Sequence, residues 1–163
     1  MKLDTTREPS LQERYAPNNK CFGCGPSNAQ GLRIRSFPIE GSPHCEVVAE
    51  WTPRPCYEAF DNILNGGIVG TLMDCHSNWT AIWHLMCRDD LDAAPHTVTG
   101  DFHIILKRPT ATDRPVRLIA QAVESDGPRV RVECKLLSGE TVTALCTGNF
   151  VNVAPGHPAY RRW

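Results

Sequence analysis

The sequence predicts an α+β domain in which a curved antiparallel sheet of about six strands wraps around one long helix. One apolar stripe with three- and four-residue steps, the pattern of a helix, runs from Ile68 to Met86. Two strand-like segments precede the stripe and four follow it. The four later segments are joined by short connections, which favour an antiparallel meander. Because a single helix cannot cover both faces of a sheet, we expect the sheet to curl around it.

The N-terminal region combines many charges with few apolar side chains. We predict that residues 1–20 form a loose arm, with one short helical turn at residues 11–15. A compact segment rich in turn-forming residues follows and contains Cys21 and Cys24.

Two strands are predicted before the helix. Residues 31–37 alternate apolar and basic side chains, as a half-exposed strand does, and residues 45–51 form the second strand. Residues 52–64 contain Pro53 and Pro55, which exclude a central strand. We therefore predict a loop between the second strand and the helix.

The predicted helix begins at Asn65 and carries one carboxylate, Asp74, within its apolar stripe. The Asn65 side-chain oxygen can accept a backbone N–H of the first turn. Gly66 and Gly67 leave that end of the helix bare, which suits an anion or a developing oxyanion. A buried carboxylate without a partner is costly, so Asp74 is expected to have a partner or a catalytic role. The stripe consists of Ile68, Leu72, Cys75, Trp79, Ile82, Trp83 and Met86.

Four strands are predicted after the helix, and an acidic connector at residues 88–96 leads into them. Ser138, Gly139 and Glu140 form a hairpin turn between the last two strands. The strands are expected at residues 97–106, 115–123, 129–137 and 141–151.

Composition limits the class of protein. The chain has 163 residues, enough for one domain, which we place at residues 21–153 with a C-terminal tail at 154–163. The formal net charge of −1 argues against a nucleic-acid partner, and no apolar run approaches the roughly 20 residues of a membrane helix. The N-terminus lacks a secretory signal, so we expect a cytoplasmic protein with mostly free thiols among its eight cysteines.

Three segments resemble the motifs of one family. Residues 65–74 (NGGIVGTLMD) resemble the His-Gly-Gly-x4-Leu-x-Asp signature of hotdog-fold acyl-CoA thioesterases, the group that includes the phenylacetate-pathway thioesterases. Residues 21–32 look like the Cys-Gly…Asn-Pro-x-Gly-Leu opening of many members, and residues 101–109 are similar to a family strand that ends in Arg-Pro or Ser-Pro. The resemblance assigns residues 21–153 to a hotdog domain.

The resemblance also implies catalytic roles, in a homodimer or dimer of dimers whose active sites are shared between subunits. Gly66 would offer its N–H to the thioester carbonyl, and Asp74 would attack the carbonyl or activate water. Thr99 would help to place the water. Asn65 stands where the family has histidine; it can cap the helix and donate a hydrogen bond, but it cannot titrate near neutral pH.

An acyl-CoA substrate requires cations for its phosphates. Lys107 and Arg108 are candidates for this role, and Gly67 and Asn62 are further candidates for contacts with substrate. No metal is expected, and no cofactor apart from the CoA of the substrate. Aromatic side chains that could line an acyl pocket, or belong to the core, are Tyr57, Phe60, Trp79 and Trp83.

Two other functions stay open at this stage. Because Asn65 replaces the family histidine, the domain could bind an acyl-CoA or another apolar ligand without cleaving it. If His76 or His103 faces Asp74, an acid–base pair for a dehydratase or hydratase becomes possible.

Two structural alternatives also stay open. Asp74 could be neutralised by a basic group such as His103 or Arg108. A zinc site could form from Cys21 and Cys24 with two further ligands, His44 and Cys56.

Overall fold

A six-stranded antiparallel sheet curved around one long helix forms the body of the computed structural model, which describes residues 8–161. The helices are α1 (Leu11–Tyr15) and α2 (Gly66–Asp89). The strands are β1 (Ser36–Pro38), β2 (Val47–Trp51), β3 (Glu58–Phe60), β4 (Ile63–Leu64), β5 (Thr97–Leu106), β6 (Val116–Asp126), β7 (Arg129–Ser138) and β8 (Thr141–Asn152). No helix in the described part is long and apolar enough to cross a membrane.

The strand order in the main sheet is β1-β2-β6-β7-β8-β5, and β3 and β4 form a separate hairpin. The prediction of a four-strand meander is right for β6, β7 and β8 but wrong for β5, which pairs with β8. Pro109 and Pro115 prevent the chain after β5 from continuing as a paired strand. Residues 107–115 instead cross from the β5 edge of the sheet to the start of β6, and a bridge between Ile63 and Ala111 holds this crossing segment. As a result β5 lies at an edge of the sheet.

Helix α2 begins where the sequence predicts. The Asn65 Oδ1 atom accepts the Gly67 N–H at 2.8 Å and the Ile68 N–H at 3.3 Å. The helix continues to Asp89, past the predicted end near Met86. Asp90 then takes a left-handed conformation (φ 51°) and its N–H bonds the Met86 carbonyl, which ends the helix.

The core lies between α2 and the inner face of the sheet. Each large apolar side chain buried there contributes ~1.5–3 kcal/mol relative to an exposed one. Fully buried members include Leu72, Trp79, Ile82, Leu85, Leu118, Leu136 and Phe150. This burial sets the rotation of α2, so that Asp74 and Asn78 lie on the flank beside β5. There they accept hydrogen bonds from Thr99 and Thr97.

The first predicted strand is shorter than expected. Residues 31–35 are not in the sheet, because Arg33 has a left-handed backbone (φ 55°). Their hydrogen bonds go to the cysteine-rich turn: the Leu32 N–H bonds the Phe22 carbonyl and the Ile34 N–H bonds the Gly23 carbonyl. The turn around Cys21 and Cys24 is therefore fixed to the rest of the domain.

The prediction of a loose N-terminal arm is wrong for its described part. The predicted helical turn is present as α1, and a reciprocal cap between Ser10 and Glu13 begins it. Gln12 is fully buried and forms two hydrogen bonds with Ser36, each 2.9 Å long. Residues 1–7 of the predicted arm and 162–163 of the predicted tail lie outside the described residues.

The predicted loop at residues 52–64 contains regular structure. A turn of 3₁₀ helix at Pro55–Tyr57 precedes the β3–β4 hairpin. Asn62 has a left-handed backbone (φ 63°), which lets the chain reverse between these short strands. The Tyr57 ring packs on Trp51, with ring centres 5.6 Å apart.

Candidate active site

Asp74 is half-buried in the middle of α2 and has one hydrogen-bond partner on a neighbouring strand. Thr99 Oγ1 donates to Asp74 Oδ1 at 2.8 Å. Burial raises the pKa of Asp74 above its ordinary value, and the hydrogen bond from Thr99 opposes this shift. Between residues 8 and 161 the carboxylate forms no ion pair, so pairing with His103 or Arg108 is not observed.

Asp74 lines a cavity of about 230 Å³ between α2, the first part of β5 and the cysteine-rich turn. The cavity is lined by Asn19, Cys21, Cys24, Asp74, Cys75, Asn78, Trp79, Ile82, Thr97, Val98 and Thr99. A larger groove of about 380 Å³ lies over β5–β8, and no α2 residue lines it. We take the smaller cavity as the candidate site because it contains the half-buried carboxylate.

The N-terminus of α2 offers one free backbone donor instead of the two that the sequence predicts. Asn65 Oδ1 already accepts the Gly67 N–H. The Gly66 N–H, in contrast, has no acceptor anywhere in the described chain. A side chain at Gly66 would approach Leu106, since a Cβ there would lie 3.1 Å from Leu106 Cδ1. This end of α2 is therefore next to the last residue of β5.

The free donor and the carboxylate lie too far apart to act on one carbonyl group. Gly66 and Asp74 are eight residues apart on one helix, which corresponds to ~12 Å along its axis. An oxyanion donor and an attacking group must both lie ~3 Å from the reacting group. One chain alone therefore does not bring this donor and this carboxylate to a single reacting group.

The predicted substrate-binding side chains lie near the end of α2 that begins with Gly66. Lys107 and Arg108 follow β5 directly and are exposed, and both backbone N–H groups bond the Thr143 carbonyl. Neither side chain takes part in an ion pair among residues 8–161. Asn62 is exposed in the β3–β4 turn, and its carbonyl accepts the Thr112 N–H. The fold thus brings Thr99 to Asp74 and leaves the candidate cations at the other end of β5.

Three cysteines beside Asp74 form a cluster that the sequence did not predict. Cys21 Sγ and Cys75 Sγ are 3.7 Å apart, and the Sγ atoms of Cys21, Cys24 and Cys75 all lie within 4.8 Å of one another. Hydrogen bonds from Cys24 and Cys75 hold the pKa of Cys21 far below its ordinary range, and the same Cys21–Cys24 interaction raises the pKa of Cys24 to about 12. His44 and Cys56, the partners considered from sequence, are not in the cluster.

The two histidines considered for acid–base catalysis do not face Asp74. His76 is fully buried; its Nε2–H donates to the Val47 carbonyl at 3.1 Å, and its Nδ1 accepts from Ser36 Oγ at 2.9 Å. His103 lines the groove over β5–β8, away from the cavity of Asp74. A dehydratase or hydratase pair is therefore not assembled in this chain.

The protein is expected to lose stability as the pH falls, because His76 is buried in its neutral form. Burial lowers its pKa from 6.5 to about 4. The unfolded chain thus binds a proton that the folded chain does not, so stability falls as the pH drops from 6.5 towards 4. The expected contribution is about 3 kcal/mol between pH 7 and pH 4. Urea unfolding at both pH values should show this loss in the wild type and a smaller one in His76→Gln. Equal losses in the two proteins would contradict this account.

Comparison with other proteins identifies the fold. No protein-family model matches the chain, and no curated protein matches it. Among solved structures, a thioesterase superfamily protein from Shewanella loihica is 21% identical, with 79% of this chain and 98% of that chain covered and a TM-score of 0.60. A putative thioesterase from Ralstonia eutropha, described as phenylacetic acid degradation-related, is 14% identical over 79% of this chain and 92% of that chain, with a TM-score of 0.63.

A third similar structure contains a ligand. The protein from Bacillus halodurans, solved with CoA, is 22% identical over 76% of each chain, with a TM-score of 0.60. These similarities, with the six-stranded sheet around α2, confirm the predicted hotdog fold.

Proposed function

We propose that this protein hydrolyses an acyl-CoA thioester to a free acid and CoA. The observation that carries the proposal is Asp74, a half-buried carboxylate that faces a cavity and has Thr99 as its one side-chain partner in the described chain. A carboxylate kept in this environment without a neutralising cation is expected to have a chemical role. The Bacillus halodurans structure, which contains CoA, supports CoA as part of the ligand.

The proposed chemistry needs a general base and an oxyanion donor. Thr99 donates to Oδ1 of Asp74. The other oxygen, Oδ2, is left to accept a hydrogen bond from the attacking water. As the water oxygen attacks the thioester carbon, Asp74 takes its proton, and a backbone N–H stabilises the oxyanion that forms. Collapse of the intermediate breaks the C–S bond, and the departing CoA thiolate takes up the proton. In the alternative route an Asp74 oxygen bonds directly to the thioester carbon and expels CoA thiolate, and water then hydrolyses the mixed anhydride to the free acid and regenerates Asp74; this route needs the carboxylate itself, not a water, against the carbon.

The oxyanion donor is supplied by a second subunit in this proposal. Strand β5 lies at the sheet edge, and a free edge that carries apolar side chains is prone to pair with another chain. Phe102 is 44% exposed and Leu106 is 57% exposed on this strand. Pairing of two copies of β5 would cover these side chains and join two six-stranded sheets.

Antiparallel pairing of β5 with its partner would complete both sites. Thr99, next to Asp74, lies near one end of β5, and Leu106, next to Gly66, forms the other end. A two-fold axis near residues 102–103 places Thr99 opposite Leu106 of the partner subunit. The partner's Gly66 then comes close to Asp74, and the symmetry gives two equivalent sites per dimer.

The same arrangement gives roles to the remaining candidates. Lys107 and Arg108 of the partner subunit would lie beside the shared site, where CoA phosphates require cations. Asn65 uses its Oδ1 to cap α2, so its Nδ2 group is left to donate to the thioester or to water. Asn62 remains a candidate for contact with substrate, while the Gly67 N–H is engaged by the cap. An acyl-CoA substrate and eight free cysteines also support a cytoplasmic location.

An acyl-CoA panel tests the proposed function. Short, branched, aromatic and long-chain CoA esters would be incubated with the purified protein, and both products would be separated by chromatography. This readout is needed because exposed cysteines such as Cys21 and Cys56 would react with a thiol reagent. We expect turnover of at least one ester.

The second candidate is an acyl-CoA-binding protein without hydrolase activity. The observation in its favour is Asn65, which cannot supply the titrating group that the family places there. Tight binding of a CoA ester in calorimetry with no free acid formed would select this function and reject hydrolysis.

Disruption of the β5 edge is expected to separate the subunits and abolish activity. Phe102→Asp places a charge in the proposed interface, where an unpaired buried charge costs ~3–5 kcal/mol, so dimer affinity should fall ~10²-fold or more. Sedimentation velocity would measure the change. Val123→Asp is the matched control, because Val123 is equally exposed (44%) on β6, away from that edge. A Phe102→Asp protein that stays dimeric would contradict the proposed interface.

A further inference from the structure

We infer that Cys21, Cys24 and Cys75 bind one zinc-type divalent ion through three thiolates, beside Asp74. This inference is independent of the proposed hydrolase function. Cys21 and Cys24 come from the turn before β1, and Cys75 follows Asp74 directly on α2. The ion would therefore join the N-terminal part of the domain to the central helix.

The sulfur positions fit a tetrahedral thiolate site. Zn–S bonds of ~2.3 Å in a tetrahedron place two sulfurs ~3.8 Å apart. Cys21 Sγ and Cys75 Sγ are 3.7 Å apart, and no pair among the three sulfurs exceeds 4.8 Å. Small side-chain rotations would therefore bring all three sulfurs to bonding distance.

The surrounding backbone has the features of a preformed metal-binding turn. The Gly25 N–H bonds the Cys21 carbonyl at 2.8 Å, and the Cys21 N–H donates to Asn19 Oδ1 at 2.7 Å. Trp79 Nε1–H donates to Cys24 Sγ at 3.4 Å. Such donors to sulfur fix the ligands of a metal and partly neutralise their charge.

The turn is pressed against the helix at the position of the third ligand. A Cβ at Gly23 would lie 2.3 Å from Cys75 Sγ, so a glycine is required for the turn to reach the helix. Leu32 and Ile34 hold the opposite side of this turn through hydrogen bonds to residues 22 and 23. The packing of this turn on α2 thus brings the three sulfurs together.

The chemistry of the ligands selects the class of ion. Thiolates are soft ligands, which favour zinc and related ions over magnesium or calcium. Three thiolates carry a charge of −3, and a divalent ion reduces it to −1 next to a carboxylate. Cys21 is exposed, which provides a path of entry. The three cysteines line the same cavity as Asp74 and Asn78, so we place the fourth position of the ion towards that cavity. We assign this position to a solvent molecule.

Metal analysis of the full-length protein tests the inference. The protein would be purified with a reducing agent and without chelator, its zinc content measured by mass spectrometry, and the stripped protein titrated with Co²⁺. We expect one ion per chain, with a sulfur-to-cobalt charge-transfer band and the intense visible bands of tetrahedral cobalt. Cys21→Ser and Cys75→Ser should lose these bands, and Cys56→Ser, an exposed cysteine outside the cluster, should keep them.

A second variant covers the case in which the serine variants do not fold. Trp79→Phe keeps the apolar ring and removes the donor to Cys24, so metal affinity should fall ~10-fold or more while the circular dichroism spectrum is unchanged. Three results would overturn the inference: no zinc and no cobalt bands in the wild type, cobalt bands that persist in the serine variants, or a Cys21–Cys75 disulfide that forms under reducing conditions in the presence of Zn²⁺.

Discussion

Asp74→Asn is expected to lower kcat for acyl-CoA hydrolysis by about 10²–10⁴-fold, with little change in KM. Asn has the same shape as Asp, and its side-chain oxygen can still accept the hydrogen bond from Thr99. The variant therefore removes the charge that takes the proton from water and preserves the packing of α2. Steady-state kinetics on the best ester of the panel would measure the effect. Equal rates for the two proteins would exclude Asp74 as base or nucleophile.

Thr99→Val is the control that distinguishes the contribution of the Asp74 carboxylate from that of the hydrogen bond it accepts from Thr99. The Thr99 hydroxyl lowers the pKa of Asp74, and burial raises it. Removal of the hydroxyl should raise the pKa further and shift the acidic limb of the kcat/KM profile to higher pH, because a base must be deprotonated to act. The rate itself should fall less, about 10-fold. A merely structural role for Thr99 would leave the position of this limb unchanged.

The sequence predicted the fold where a periodic pattern continues over many residues. Strand β5 has the predicted bounds, and α2 begins at the predicted cap, since alternation and apolar stripes are local signals. The order of strands was not predictable in this way, because the position of β5 beside β8 depends on a crossing segment fixed by Ala111 and Ile63. The left-handed backbone of Arg33, which removes residues 31–35 from the sheet, has no glycine to signal it.

The candidate site was predictable to a similar extent. The motif that resembles the thioesterase signature pointed to Asp74, and the resemblance also suggested Thr99 on the following strand. The structure places the two side chains 2.8 Å apart, although their catalytic roles stay predictions. Spacing alone could not show that Cys75 lies against Cys21 and Cys24, because the contact spans more than fifty residues and depends on the packing of the turn on α2. The helix geometry adds what the motif does not state, namely that Gly66 and Asp74 of one chain are ~12 Å apart along the helix axis and cannot both reach one carbonyl group.

Gly66→Pro is expected to lower kcat by ~10²–10³-fold without loss of stability, because it removes the proposed oxyanion donor. Proline is tolerated at the first position of a helix, where its missing N–H would have no intrahelical partner. The preceding residue, Asn65, already has the extended backbone that proline requires (φ −60°, ψ 133°). Gly66→Ala is the matched control, since it adds a similar Cβ near Leu106 and retains the N–H. Equal kinetic losses in the two variants would assign the effect to crowding instead.

Mixed dimers of Gly66→Pro and Asp74→Asn subunits then test whether the two groups come from different chains. In such a dimer one site carries both defects, and the other combines an intact Asp74 with an intact Gly66 of the partner subunit. Random mixing of equal amounts makes half of the dimers mixed, each with one working site, so about one quarter of wild-type activity should return. If Gly66 and Asp74 of the same chain served one site, every site would stay defective and mixing would restore nothing. Coexpression of the two variants, with activity normalised to the total protein, would distinguish these outcomes.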